Sequence, residues 1–134
     1  MKKVMKNDKL DKIEWEIGSP SLIKSEYLRT FPYEYKGKNI TVKIETKEFC
    51  AVCPWSGLPD FGMIMVEYIP RELVLELKSF KYYLYTFRHV GIFQEHALNR
   101  IFEDLLKVLK PKKMRVTLKY NIRGGMETTT VREK

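Results

Sequence analysis

Cysteine and histidine are scarce in this 134-residue sequence: the cysteines are Cys50 and Cys53, the histidines His89 and His96. Two thiols cannot make a disulfide framework, and such a chain belongs in a reducing compartment. A tetrahedral zinc site needs four ligands; C-x-x-C supplies half of one, and the histidines form no paired motif, so no metal is expected. Long apolar runs are missing too. Nothing in the sequence reaches bilayer-spanning length, and the polar stretch Met1 to Asp11 has no apolar signal-peptide centre. The expectation is a cytoplasmic protein without membrane contact. No internal repeat is visible.

What is present suits one ordinary domain, long enough to bury a core without covalent staples. The formal charge of +8 attracts polyanions. A solubilising surface is the plainer reading, because Lys2, Lys3, Lys6, Lys9 and Lys12 crowd the N-terminus and Lys110, Lys112 and Lys113 a connection.

Residues 1–30 are expected as an N-terminal extension with little regular structure, in which Trp15 and Ile17 dock and Gly18, Ser19 and Pro20 punctuate the path. Residues 31–134 form a single domain. From Asn39 to Thr46, Ile40, Val42 and Ile44 alternate with polar residues, the period of a half-buried strand. Phe61 to Ile69 and Leu73 to Lys78 are expected as two antiparallel strands joined by a hairpin at Pro70 to Glu72. Ser79 can cap a short aromatic helix, Phe80 to Arg88. A longer helix, Phe93 to Leu109, carries apolar residues at helical spacing and stops before Pro111. Met114 to Tyr120 returns to alternation, Arg123-Gly124-Gly125 bends the chain, and Glu127 to Val131 makes a last strand. This order predicts an α+β fold, an antiparallel sheet with two helices on one face.

The stretch Glu48 to Phe61 is the candidate reactive loop, a turn holding Cys53 between two strands, with Asp60 following it. On residue types alone, Cys53 is either a packed thiol or a nucleophile, and neither reading dominates. A free thiol of pKa about 8.5 is only a few per cent thiolate at neutral pH, so a catalytic one needs activation and a proton-transfer partner. Asp60 can be that partner. Glu95 and Gln94 open the long helix, where a carboxylate also simply suits the helix dipole. Glu76 sits in an apolar β segment, on a solvated face or held for binding. Lys78, Lys81 and Arg123 form either a phosphate-binding patch or an ordinary wet surface.

Glu48-Phe49, Cys53-Pro54, Ser56-Gly57, Pro59-Asp60-Phe61 and above all the block Glu76-Leu77-Lys78-Ser79-Phe80-Lys81-Tyr82-Tyr83 closely resemble the short, unimodal 7-cyano-7-deazaguanine (preQ0) reductases of queuosine biosynthesis. The likeness continues through Phe87-Arg88, Gly91, Phe93, Glu95, Asn99 and Arg123-Gly124-Gly125, covering about Thr30 to Met126. It implies the tunnelling fold, assembled into rings with purine-like ligands bound between subunits of a homo-oligomer. It implies an NADPH-dependent reduction of nitrile to primary amine, preQ0 to preQ1, through a covalent thioimide on Cys53, with Asp60 protonating nitrogen. Glu95 would take the N–H edge of the deazaguanine and Glu76 the same base from a neighbouring subunit, with Ser79 and Gln94 also at the substrate. Lys78, Lys81 and Arg123 would face the NADPH phosphates. Cys50 falls where the family usually has no thiol and is incidental.

One departure is Gln94, where these reductases often carry a histidine; an amide cannot relay a proton as imidazole can. The alternatives are the reductase-like amidinotransferases, which use the same Cys and Asp on preQ0 in tRNA but lack the Glu76 to Tyr83 block, and a non-catalytic basic module that binds RNA. Nucleic acid is otherwise not an expected partner.

Overall fold

The computed structural model describes residues 9, 10 and 12–134. Lys2, Lys3 and Lys6, and with them most of the polar stretch up to Asp11, lie outside the described residues.

Alternation beginning at Val42 builds a long hairpin from β2 (Val42–Val52) and β3 (Pro59–Ile69). A strand β1 (Thr30–Pro32) precedes it. Val42, Ile44 and Thr46 pair with Tyr68, Val66 and Ile64, and the register then shifts before Phe49 pairs with Gly62. That bulge at Lys47-Glu48 does specific work. Without an extra residue, period two would turn Phe49 and Ala51 outward; with it, both are fully buried. The strand also carries further than the sequence suggests, so the expected loop shrinks to residues 53–58.

Leu73 to Lys78 departs from expectation. Only β4 (Leu73–Leu75) is strand, and it pairs antiparallel with β1 in a separate two-stranded sheet. The reason is occupancy: β3 already has β2 on one side and β5 (Lys113–Tyr120) on the other, which leaves it no edge for a hairpin partner. The chain turns straight into α1 (Leu77–Tyr85), which ends before Arg88. Glu76, expected inside a strand, is the N-cap, its carboxylate accepting the Ser79 N–H at 3.0 Å. Ser79, expected as the cap, lies within the first turn, and its hydroxyl accepts the Arg29 N–H at 2.9 Å.

α2 (Gln94–Leu109) is closed by Lys110 in the left-handed conformation, with Pro111 next. β6 (Thr129–Glu133) completes a four-stranded antiparallel sheet of order β2-β3-β5-β6. Both helices cover one face. Phe80, Tyr83 and Leu84 of α1, with Leu98, Ile101, Phe102 and Leu105 of α2, pack on Phe49, Ile64, Val66, Val116 and Leu118. The α+β class expected from the order of elements is the one observed.

Within the expected extension, residues 20–22 and 25–27 form single 3-10 turns, and Ile23 and Leu28 join the core. Gly18 is stitched to the body, donating to His89 O at 2.7 Å and accepting from Gly91 N at 2.9 Å. A β-carbon on Gly18 would stand 2.5 Å from the His89 carbonyl oxygen, a backbone atom that cannot swing aside. Gly18→Ala is therefore expected to cost about 1–3 kcal/mol of stability in urea unfolding. An unchanged midpoint would mean that this strap is not docked.

Candidate active site

The site grows out of the end of β2. Val52 donates to Val90 O and accepts from Ile92 N, at 2.9 and 3.1 Å, which clamps the strand end to the segment before α2. Cys53 then opens a tight turn. Its N–H donates to Leu58 O and its carbonyl accepts from Gly57 N, both at 2.9 Å, with Gly57 at φ +72° and packed under Trp15. Cys53 as a residue is only 8% exposed. The Ser56 hydroxyl first, then the N–H groups of Ser56 and Trp55 and the Arg123 side chain, hold the pKa of the sulfur below that of a free thiol against the opposing effect of burial. A turn that sets its own polar groups about the sulfur is a feature the sequence could not establish.

Asp60, near the start of β3, lies opposite Ala51 on the helix-covered face and is 5% exposed. Burial pushes its carboxyl above the usual carboxylate range, against the opposing pull of Arg123. The Arg123 guanidinium meets Asp60 Oδ1 at 2.5 Å from a turn closed by paired bonds with Met126 and bent by Gly124 and Gly125 at positive φ. One arginine thus reaches both the thiol and the acid. These three residues form the centre of the site.

The other candidates are distributed differently. Glu95 stands exposed in the first turn of α2. Gln94 is buried, its amide nitrogen donating to Leu118 O and Thr128 O at 2.9 Å each, so that group is committed to tying α2 to β5 and the approach to β6. Glu76, Lys78 and Ser79 line a cleft of about 300 Å³ with Tyr27, Arg29 and Tyr82. That end of α1 adjoins Val42 and Ile44, the opposite end of β2 from Cys53. At about 3.3 Å per residue, Glu76 and Cys53 are on the order of 25 Å apart within one chain. Lys81 pairs with Glu48 on the surface at 3.5 Å. In one chain, therefore, Lys78 lies far from Arg123, which meets Asp60 beside the other end of β2.

Cys50 faces away from the helices, opposite Phe61. Burial, and then Asp60, push its thiol up. Three residues apart on extended chain, Cys50 and Cys53 have Cα atoms about 10 Å apart, beyond the roughly 7 Å reach of a disulfide. Sequence reasoning missed the contact of Arg123 with Asp60, the Ser56 hydroxyl at the sulfur, and Tyr120, whose buried hydroxyl has no partner. Among the described residues there is no cluster of three or more His, Cys, Asp or Glu arranged for a metal, and no helix long and apolar enough to cross a membrane.

Fold and site together define a small α+β protein in which a thiol of lowered pKa and a buried acid share one arginine, a constellation suited to covalent chemistry through sulfur. A model of the QueF-like protein family matches residues 59–134. The NADPH-dependent 7-cyano-7-deazaguanine reductase of Caldicellulosiruptor bescii is 47% identical over 125 residues, 93% of this chain and 95% of that protein. The protein of the same description from Thermotoga petrophila is 52% identical over 109 residues, 81% of this chain and 78% of its own length. Among solved structures, the apo form of an archaeosine synthase QueF-Like superposes with a TM-score of 0.62 at 29% identity, covering 71% of this chain and 91% of that one. The chain belongs to the QueF-like protein family.

Proposed function

We propose that this protein is an NADPH-dependent nitrile reductase that converts 7-cyano-7-deazaguanine to 7-aminomethyl-7-deazaguanine in queuosine biosynthesis, working in the cytoplasm. The observation that carries the reading is the Cys53–Asp60 pair bridged by Arg123, in a chain so similar over its length to proteins described as that reductase. The Cys53 thiolate adds to the nitrile carbon, and the nitrogen that gains the electron pair takes the Asp60 proton, giving a thioimide. The C–S bond holds the carbon in place for reduction. When it breaks, the electron pair returns to sulfur and Cys53 is free. NADPH, when bound, supplies the two hydrides.

Cationic and aromatic groups fit that cofactor. Lys78 and Arg29 share a cleft with the faces of Tyr27 and Tyr82, suited to phosphates beside a flat ring. The Lys81–Glu48 pair is exposed on both sides, so it exchanges cheaply for a phosphate contact. Arg123 then serves the reacting centre first and the cofactor from there. Residues 31–134 act as the catalytic domain, while Trp15 and Ile17 brace its Cys53 turn and Gly91.

Glu95 and Glu76 hold the same base only if two copies meet, since one chain separates Glu76 from Cys53. The working unit is therefore a homo-oligomer, a ring, with sites between subunits. Cys53→Ala and Glu76→Gln proteins, each inactive alone, are expected to recover part of the wild-type rate when unfolded and refolded together. Mixtures that stay dead would place each whole site in one chain.

The archaeosine synthase likeness favours a second reading, an amidinotransferase on preQ0 in tRNA. The Glu76 to Tyr83 block, which resembles the signature of the reductases, speaks for NADPH. Two NADPH oxidised per preQ0 supports reduction; a Cys53 adduct without NADPH oxidation supports the alternative.

A further inference from the structure

Tyr120 ends β5 on the helix-covered face, 5% exposed, and its hydroxyl is the one buried side-chain polar atom among the described residues without a hydrogen-bond partner. Buried hydroxyls almost always find partners, because leaving one unpaired costs its full desolvation. The ring is held deliberately. It pairs in register with Gly62, where a β-carbon would stand 2.8 Å from the Tyr120 ring, so the glycine admits it. It stacks on Phe49 at 6.2 Å and 23°.

Its surroundings are the active site. Gly62 is two residues from Asp60 on the same face of β3. The Tyr120 N–H donates to Thr128 O, the carbonyl that also accepts from Gln94, which brings the start of α2 and Glu95 alongside. Burial first, then the charges of Asp60, Cys50 and Glu95, push the phenol far up, so it is always a donor near neutrality. It nevertheless bonds neither carboxylate.

We infer that the Tyr120 hydroxyl donates a hydrogen bond to the C6 carbonyl oxygen of the bound deazaguanine. The inference rests on the proposed function, in which Glu95 takes the N–H edge and Cys53 the nitrile carbon. Around the rim of this base, the C6 oxygen lies between those two groups. A donor on which the charges of both Asp60 and Glu95 act, joined to the start of α2 through Thr128 O, is placed to meet that oxygen and so help to register the nitrile on the sulfur. Tyr120 is thus a substrate-binding residue with no part in the proton transfers.

The test is Tyr120→Phe in the full chain, assayed with preQ0 and NADPH. The expected result is a KM for preQ0 raised about tenfold, kcat within about twofold, and a melting temperature no lower than wild type, since the lost hydroxyl had no protein partner. An unchanged KM, or a lower melting temperature with a fallen kcat, overturns the inference by showing a hydroxyl unused or tied to the protein. A wild type that leaves NADPH unoxidised overturns the functional reading itself, and this inference with it.

Discussion

Replacing Cys53 by alanine is expected to remove preQ0-dependent NADPH oxidation altogether, a loss of at least about 10⁴-fold in kcat, as for other enzymes stripped of their nucleophile. Nothing else in the site can take over. Cys50 lies on the other face of the sheet with its thiol pushed up, and Ser56 is a ligand of the sulfur rather than a base-activated hydroxyl. Stability should hold within about 1 kcal/mol, because the change removes one small side-chain atom from a turn fixed by backbone bonds. Initial rates at the nicotinamide absorbance and a urea unfolding curve on the same preparation separate the two effects. A mutant that keeps a tenth of the wild-type rate would mean that hydride reaches the nitrile without a covalent intermediate.

Asp60→Asn should give the second-largest effect, a fall of about 10²–10⁴ in kcat, the usual worth of a positioned general acid. Wild-type kcat/KM should be bell-shaped in pH, because the reaction needs one group deprotonated, Cys53, and one protonated, Asp60. The variant should lose one limb of that bell. Stability should move the other way. Burial raises the Asp60 pKa in the folded protein, so the folded state holds its proton more tightly than the unfolded chain does. Between the unfolded value of about 3.9 and the raised folded value, stability falls as pH rises, so above that window the buried charge of Asp60 costs the fold stability. The neutral amide escapes that cost and leaves only a half-exposed Arg123 without its partner. Asp60→Asn is therefore expected to be at least as stable as wild type at pH 7, with the difference vanishing in acid. A variant clearly less stable at pH 7 would show that the Arg123 pair outweighs the burial of Asp60.

The sequence carried the fold where periodicity was strong. Val42 to Ile44, Phe61 to Ile69, Met114 to Tyr120 and the helix ending before Pro111 were visible because one face of each is apolar at a fixed period. It failed where the third dimension decides. Leu73 to Leu75 looks like a hairpin partner of β3, and only the sheet order explains why it pairs with β1. Glu76 has the neighbours of a strand residue, yet caps a helix, because a three-residue strand and a helix start share that apolar spacing. Cys53 and Asp60 were legible as candidates, since a thiol and a carboxylate in a Pro- and Gly-fixed loop are few in kind. The environment that lowers the one pKa and raises the other was not. Arg123 arrives from a turn sixty residues and more along the chain, and a tyrosine at a strand end gives no sign in one dimension that its hydroxyl will be left unpaired.

The central claim is that Cys53, served by Asp60, carries a nitrile through reduction. The most direct measurement is the intact mass of the protein mixed with preQ0, first alone and then with NADPH. The account predicts an added mass equal to preQ0, absent in Cys53→Ala, that disappears on addition of NADPH as two equivalents are oxidised per nitrile. An adduct that persists while NADPH stays unoxidised, or NADPH consumed at the wild-type rate with Cys53 gone, would contradict it.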